Sequence, residues 1–137
     1  MNELVQSNPL GVTPCNGQGV VYYARVVDDS GVEWRYIGKA SSPRSRLRAY
    51  VNNVSRIQRG LPRRTTPGQE PYRGVHLALA KAVESGWEYE FYPLTAVEKC
   101  SLDVVEQQNI QELECNLNGL SSWLVKDYHA TELKHLA

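Results

Sequence analysis

Val20-Val21-Tyr22-Tyr23-Ala24-Arg25-Val26-Val27 is a run of β-branched and aromatic residues, closed by the turn cluster Asp28-Asp29-Ser30-Gly31 and followed by Val32-Glu33-Trp34-Arg35-Tyr36-Ile37, a second such run. Two such segments joined by a short polar turn specify a β-hairpin. Gly38 closes the second strand, and Ser42-Pro43 offers a hydroxyl N-cap with proline at the first helical position, where its missing N–H costs nothing. A helix is expected from there. Leu47, Tyr50, Val51, Val54 and Ile57 recur at its 3.6-residue period, and Gly60 stops it.

Outward from the hairpin the elements continue. Residues 1–18, with Pro9, Gly11, Pro14 and Gly17, read as an irregular arm that packs on the domain or engages a second subunit. Residues 58–73, where Gly60, Pro62, Pro67, Gly68 and Pro71 alternate with arginines and threonines, read as a long basic loop that is mobile when nothing is bound. Val75, Leu79, Ala82 and Val83 mark a second helix ending at Gly86, and Trp87 to Tyr92 a half-exposed third strand. After Pro93, Thr95 to Glu98 fits a capping box, ahead of a last helix over residues 101–114 with Leu102, Val105, Ile110 and Leu113 facing inward. The expectation is an α+β domain over residues 19–120, a three-stranded antiparallel sheet flanked by helices in the order β-β-α-α-β-α, with a tail over 121–137.

At 137 residues, 42% hydrophobic and 22% charged, the composition suits one globular domain and excludes disordered, collagenous and disulfide-scaffold classes. The start Met1-Asn2-Glu3-Leu4 lacks the pattern of a secretory signal. Cys15, Cys100 and Cys115 are odd in number and lack metal-binding spacing, so they read as reduced thiols of a cytoplasmic protein with no membrane partner. The formal net charge of zero conceals a segregation. Residues 1–34 carry one basic and four acidic groups, residues 35–73 ten basic groups and only Glu70, and residues 74–137 four basic and ten acidic. The basic middle, with Arg44, Arg48, Arg56, Arg59, Arg63, Arg64 and Arg73 beside Lys39, has the charge of a phosphate-binding surface. Backbone phosphate contacts of this kind fix register without reading sequence.

Tyr36-Ile37-Gly38, extended by Lys39-Ala40, stands in the second strand, with Val20-Val21-Tyr22-Tyr23 in the first. Arg46 lies ten residues after Tyr36, and Glu106 on the last helix is followed twelve residues later by Asn118. In these residues, over about positions 19–118, the chain resembles the GIY-YIG nucleases, and in its length, basic insertion and final Glu-to-Asn stretch it is most similar to the phage-encoded endonuclease II branch. The first motif departs from the family in lacking glycine and isoleucine before its tyrosine, and the hairpin is a few residues longer. Tyr22 and Tyr23 therefore both stand as the first catalytic tyrosine, with the face shared by Tyr22, Ala24 and Val26 favouring Tyr22.

The resemblance implies a GIY-YIG-like small domain that hydrolyses DNA phosphodiester bonds, mainly in duplexes, with Mg²⁺ or Mn²⁺ on Glu106. The tyrosines would serve the attacking water, and Arg46 would hold the phosphoryl charge. A tyrosine with its ordinary pKa near 10 is a poor base, so a nearby cation is expected to lower it. Asn118 would orient the active-site groups or merely end its helix. His76 would assist proton transfer, as in some restriction-enzyme relatives, or serve as a boundary histidine. Lys39 would touch the scissile phosphate, the Tyr36 oxygen or the DNA backbone. The resemblance also implies a dimer or tetramer, acting in a bacterial host cell if phage-encoded. Against the nuclease stand a non-catalytic nucleic-acid-binding module on the same fold and a protein-interaction domain whose basic segment meets an acidic partner.

Overall fold

The computed structural model describes residues 3–61 and 72–118. Strands β1 (Gln18–Val27) and β2 (Glu33–Ala40) form the expected hairpin, with α1 (Pro43–Gln58), α2 (Gly74–Ser85), β3 (Glu88–Glu98) and α3 (Leu102–Glu112) following. The sheet is antiparallel in the order β2-β1-β3, so β1 is central and the YIG strand lies at an edge. At the hairpin turn the Asp28 carboxylate accepts from the backbone N–H of Ser30 and of Val32, and from the indole of Trp34 at 3.2 Å.

Alternation along β1 divides two cores. Val20, Tyr22, Ala24 and Val26 join Tyr36, Phe91 and the buried residues of α1 and α2 on one face. Val21, Tyr23 and Ile37 meet Leu102, with Val105, Ile110 and Leu113 packed around them, on the other. Tyr50, Val54 and Ile57 carry the stripe of α1 into the first core, which Gly60 ends at a φ of 68°. Pro43 sits at the start of α1 as expected, but the Ser42 hydroxyl makes no cap hydrogen bond; its carbonyl accepts from Arg46 instead. The arm packs on its own domain: Leu4 is buried in the first core and the Ser7 N–H donates to the Phe91 carbonyl at 3.0 Å.

The segment after Pro93 differs from the expectation. No helix cap forms at Thr95; β3 continues to Glu98, whose partner on β1 is Gln18. The ladder slips where Val21 faces Thr95 and Tyr22 faces Pro93, leaving Leu94 as the extra residue of a bulge. Proline is tolerated because β3 is an edge strand and the bulge already breaks the ladder there. The last helix is shorter than expected, beginning at Leu102 after the 3₁₀ turn Lys99–Ser101 and ending at Glu112. The basic loop is described only at Arg59 to Leu61 and at Tyr72 and Arg73; Arg63 and Arg64 lie outside the described residues, as do residues 121–137.

Candidate active site

Tyr22 and Tyr36 project from neighbouring strands onto the same face, diagonal in register because Tyr22 pairs with Gly38 and Tyr36 with Ala24. Their ring centroids stand 6.3 Å apart. Tyr23 points to the opposite face and packs on Tyr92 at 5.5 Å. The bulge lies on β3, so alternation along β1 is intact and only Tyr22 of the two shares a face with Tyr36. Gly38 makes room for this arrangement. A Cβ there would lie 2.3 Å from the Tyr22 Cζ and hydroxyl oxygen, so the Tyr22 ring end rests directly on the β2 backbone.

Two further residues complete the cluster, and sequence reasoning had assigned them elsewhere. Tyr50, one turn beyond Arg46 on α1, had been counted with the apolar stripe. Its hydroxyl lies 2.8 Å from that of Tyr22. Arg73, one of the arginines of the basic segment, stands at the N-terminal boundary of α2, where its charge acts on Tyr36, Tyr50 and Tyr22. The signal for Tyr50 was the i, i+4 spacing from Arg46, which puts both on one helix face. Nothing in the sequence distinguished Arg73 from its neighbours.

Charge and burial compete on these phenols. Burial raises the pKa of Tyr22 well above the ordinary tyrosine value, and the neighbouring Tyr36 adds to it; the Tyr50 hydrogen bond and the Arg46 and Arg73 charges pull the other way and lose. Arg46 and Arg73 thus do not bring the Tyr22 phenol below its ordinary value in the metal-free fold, because desolvation of an anion outweighs them. Burial likewise raises Tyr50. Both are neutral hydroxyls at physiological pH.

Glu106 lies on α3, against the opposite face of the sheet from Tyr36. Its side chain is only 15% exposed, and the Lys39 ammonium, which leaves β2 on that same face, stands 3.8 Å from its carboxylate. The same ammonium is hydrogen-bonded to Asp103. Burial raises the Glu106 pKa while Lys39 opposes the rise. Asp103 is in the first turn of α3, whose N-cap is Ser101, and it pairs with Lys39. The Arg73 charge acts on Tyr36 and on Glu106 alike.

A cation thus already occupies the space between Asp103 and Glu106, and its partners there are carboxylate oxygens. That donor set fits a hard divalent ion completing its shell with water and phosphate oxygens. Among the described residues no group of three or more His, Cys, Asp or Glu could hold a metal, so Glu106 with Asp103 is the most the described chain contributes.

Asn118 neither ends α3 nor faces the tyrosines. Its amide donates to the Ile37 carbonyl at 2.6 Å and accepts from the Ile37 N–H at 2.9 Å. Asn116 bonds the Arg35 N–H and the Glu33 carbonyl in the same manner, and the Leu117 N–H donates to the Arg35 carbonyl. Residues 116–118 thereby satisfy the outward backbone groups of β2 from Glu33 to Ile37 and hold the YIG strand in place.

His76 is buried, its ring 4.7 Å from that of Tyr50 and its Nε2 3.5 Å from the Asn53 amide, and its backbone N–H donates to the Arg73 carbonyl at 3.0 Å. Arg44, Arg46, Arg48 and Arg59 are exposed and Arg56 is half-buried. Arg35, one of the ten basic groups of the middle third, is tied to Glu33 together with Arg25, and donates to the Leu113 carbonyl. Cys15, Cys100 and Cys115 are free thiols, and burial pushes Cys115 up to about 11. Among the described residues no helix is long and apolar enough to cross a membrane. No protein-family model, curated protein or solved structure matches the chain.

Proposed function

We propose that the chain is a GIY-YIG-type endonuclease that hydrolyses DNA phosphodiester bonds with a divalent cation, Mg²⁺ or Mn²⁺. The observation that carries this reading is the placing of Tyr36 beside the hydrogen-bonded pair of Tyr22 and Tyr50 on one face of the sheet, with a carboxylate-bound cation position at Glu106 on the other. The pair puts two polar hydroxyls inside an otherwise apolar core, next to the Tyr36 ring. A site that must orient water against a phosphate has use for them.

The roles divide by environment. Tyr22 and Tyr50, kept neutral by burial, donate and accept hydrogen bonds and hold Tyr36 in orientation. Tyr36 orients the attacking water through its hydroxyl, under the influence of the Arg73 charge. Arg46, exposed on the same helix face as Tyr50, grips a non-bridging phosphate oxygen. Glu106, with Asp103 alongside, would hold the divalent ion, which when bound supplies Lewis-acid stabilisation of developing charge. Lys39, whose ammonium meets both carboxylates, would turn to the phosphate when an ion holds them. Asn118 acts at one remove by fixing the YIG strand, and His76 by packing on Tyr50. One such centre cuts one strand, so a double-strand break requires a homodimer or tetramer, or sequential nicks. Cytoplasmic action on duplex DNA belongs to the same proposal.

End-labelled duplex DNA incubated with the chain in Mg²⁺ or EDTA and resolved on a denaturing gel tests the reading. Shortened strands in Mg²⁺ alone are expected. A retarded complex whose strands stay intact in Mg²⁺ would instead establish a non-catalytic binding module.

A further inference from the structure

Tyr22 and Arg46 also form part of the wall of a cavity of about 510 Å³ between the N-terminal arm, the sheet and the first turn of α1. Val20, Leu47 and Phe91 give it an apolar floor, and Thr13 belongs to the arm that bounds its other side. The charged groups in the wall are Arg44 and Arg46; no acid contributes. The volume falls among pockets that enclose small organic ligands, commonly about 300–1,000 Å³, and far exceeds what a phosphate needs. Duplex DNA shows a protein its phosphates and sugars while its bases remain stacked inside, and that exterior gains nothing from an apolar cavity. A single unstacked nucleotide matches it on both counts, with an apolar base face and a negative phosphate on either side.

We propose that this cavity receives one unstacked nucleotide adjoining the phosphate held by Arg46, its base lodged between the arm and the sheet and its two phosphates met by Arg44 and Arg46. The inference rests on the nuclease reading of the tyrosine cluster for the position of that phosphate. Because unstacking costs least where a base is mismatched or unpaired, such positions are the preferred substrates. The arm then belongs to the binding site.

The test is binding of thymidine 3′,5′-bisphosphate against the base-free deoxyribose 3,5-bisphosphate, in EDTA, followed by methyl NMR of Val12, Val20 and Leu47. The expected result is at least tenfold tighter binding of the base-bearing probe with shifts at those methyls. Thr13→Trp, at an exposed arm position, and Leu47→Trp both fill the cavity and should abolish the preference while circular dichroism shows a folded chain. Equal affinity for the two probes, or shifts confined to other methyls, overturns the proposal. A preference that persists in folded Thr13→Trp overturns it too. Failure of the nuclease reading has a separate signature: intact DNA in Mg²⁺ together with a preserved preference, which leaves the cavity's nucleotide specificity standing.

Discussion

Gly38→Ala tests whether the glycine of the YIG strand is there for the tyrosine cluster. The added Cβ would sit 2.3 Å from both Cζ and the hydroxyl oxygen of Tyr22 and 2.6 Å from its Cε2. The ring cannot swing aside freely: Tyr50 and Phe91 meet it edge-on at 5.4 and 5.8 Å, and the hydroxyl is bonded to that of Tyr50 at 2.8 Å. Overpacking of this kind costs about 1–3 kcal/mol and loss of the hydroxyl bond about 1 more. At roughly 3–4 °C per kcal/mol for a chain of this size, the melting temperature should fall by about 10 °C. Tyr22→Phe added to Gly38→Ala removes one of the two closest contacts, so the double variant should melt no lower than the single one. Thermal melts by circular dichroism, with single-turnover cleavage measured well below the transition, provide both readouts. A fall of less than about 2 °C with the cleavage rate unchanged would refute the close-packing argument.

Tyr22→Phe should slow single-turnover cleavage at least about tenfold, or about 1.4 kcal/mol of transition-state stabilisation, whereas Tyr23→Phe, on the face away from Tyr36, should leave the rate intact; the opposite pattern reassigns the first tyrosine. Lys39→Met removes the cation that competes for Asp103 and Glu106, so calorimetric titration with Mn²⁺ should show tighter binding, up to about fivefold if the exposed pair is worth about 1 kcal/mol; weaker binding contradicts the displacement of Lys39. Burial raises the Glu106 pKa in the metal-free fold, so this group favours folding below its unfolded-state pKa and the benefit is lost as pH rises through the folded value. Glu106→Gln should therefore stabilise the metal-free protein more at pH 7 than at pH 4, judged by melts against the parent chain. A gain confined to acid pH would show that burial is not the governing influence.

The hairpin, the first two helices and the shared face of Tyr22 and Tyr36 were legible because strand alternation and helix periodicity are local properties. β3 was legible only to Pro93. Proline ordinarily ends a strand, and the bulge that accommodates it depends on β3 pairing, among the described residues, with β1 alone. Tyr50 was hidden by resembling core, since a tyrosine on an apolar stripe gives no sign that its hydroxyl meets that of Tyr22. Arg73 was hidden among like charges, and only the start of α2 selects it. Asn118 was singled out for its spacing, but its bond to Ile37 is a long-range edge contact that no periodicity encodes.

The central claim is that Glu106 and the tyrosine cluster around the YIG edge form one hydrolytic centre. Its most direct test is nicking of supercoiled plasmid by the parent chain, Tyr36→Phe and Glu106→Gln, each in Mg²⁺ and in EDTA, with DNA binding measured alongside. The expected result is open-circular DNA from the parent chain in Mg²⁺ only, none from Glu106→Gln despite retained binding, and slow nicking by Tyr36→Phe. Undiminished nicking by Glu106→Gln, or none by the parent chain in Mg²⁺, would contradict it.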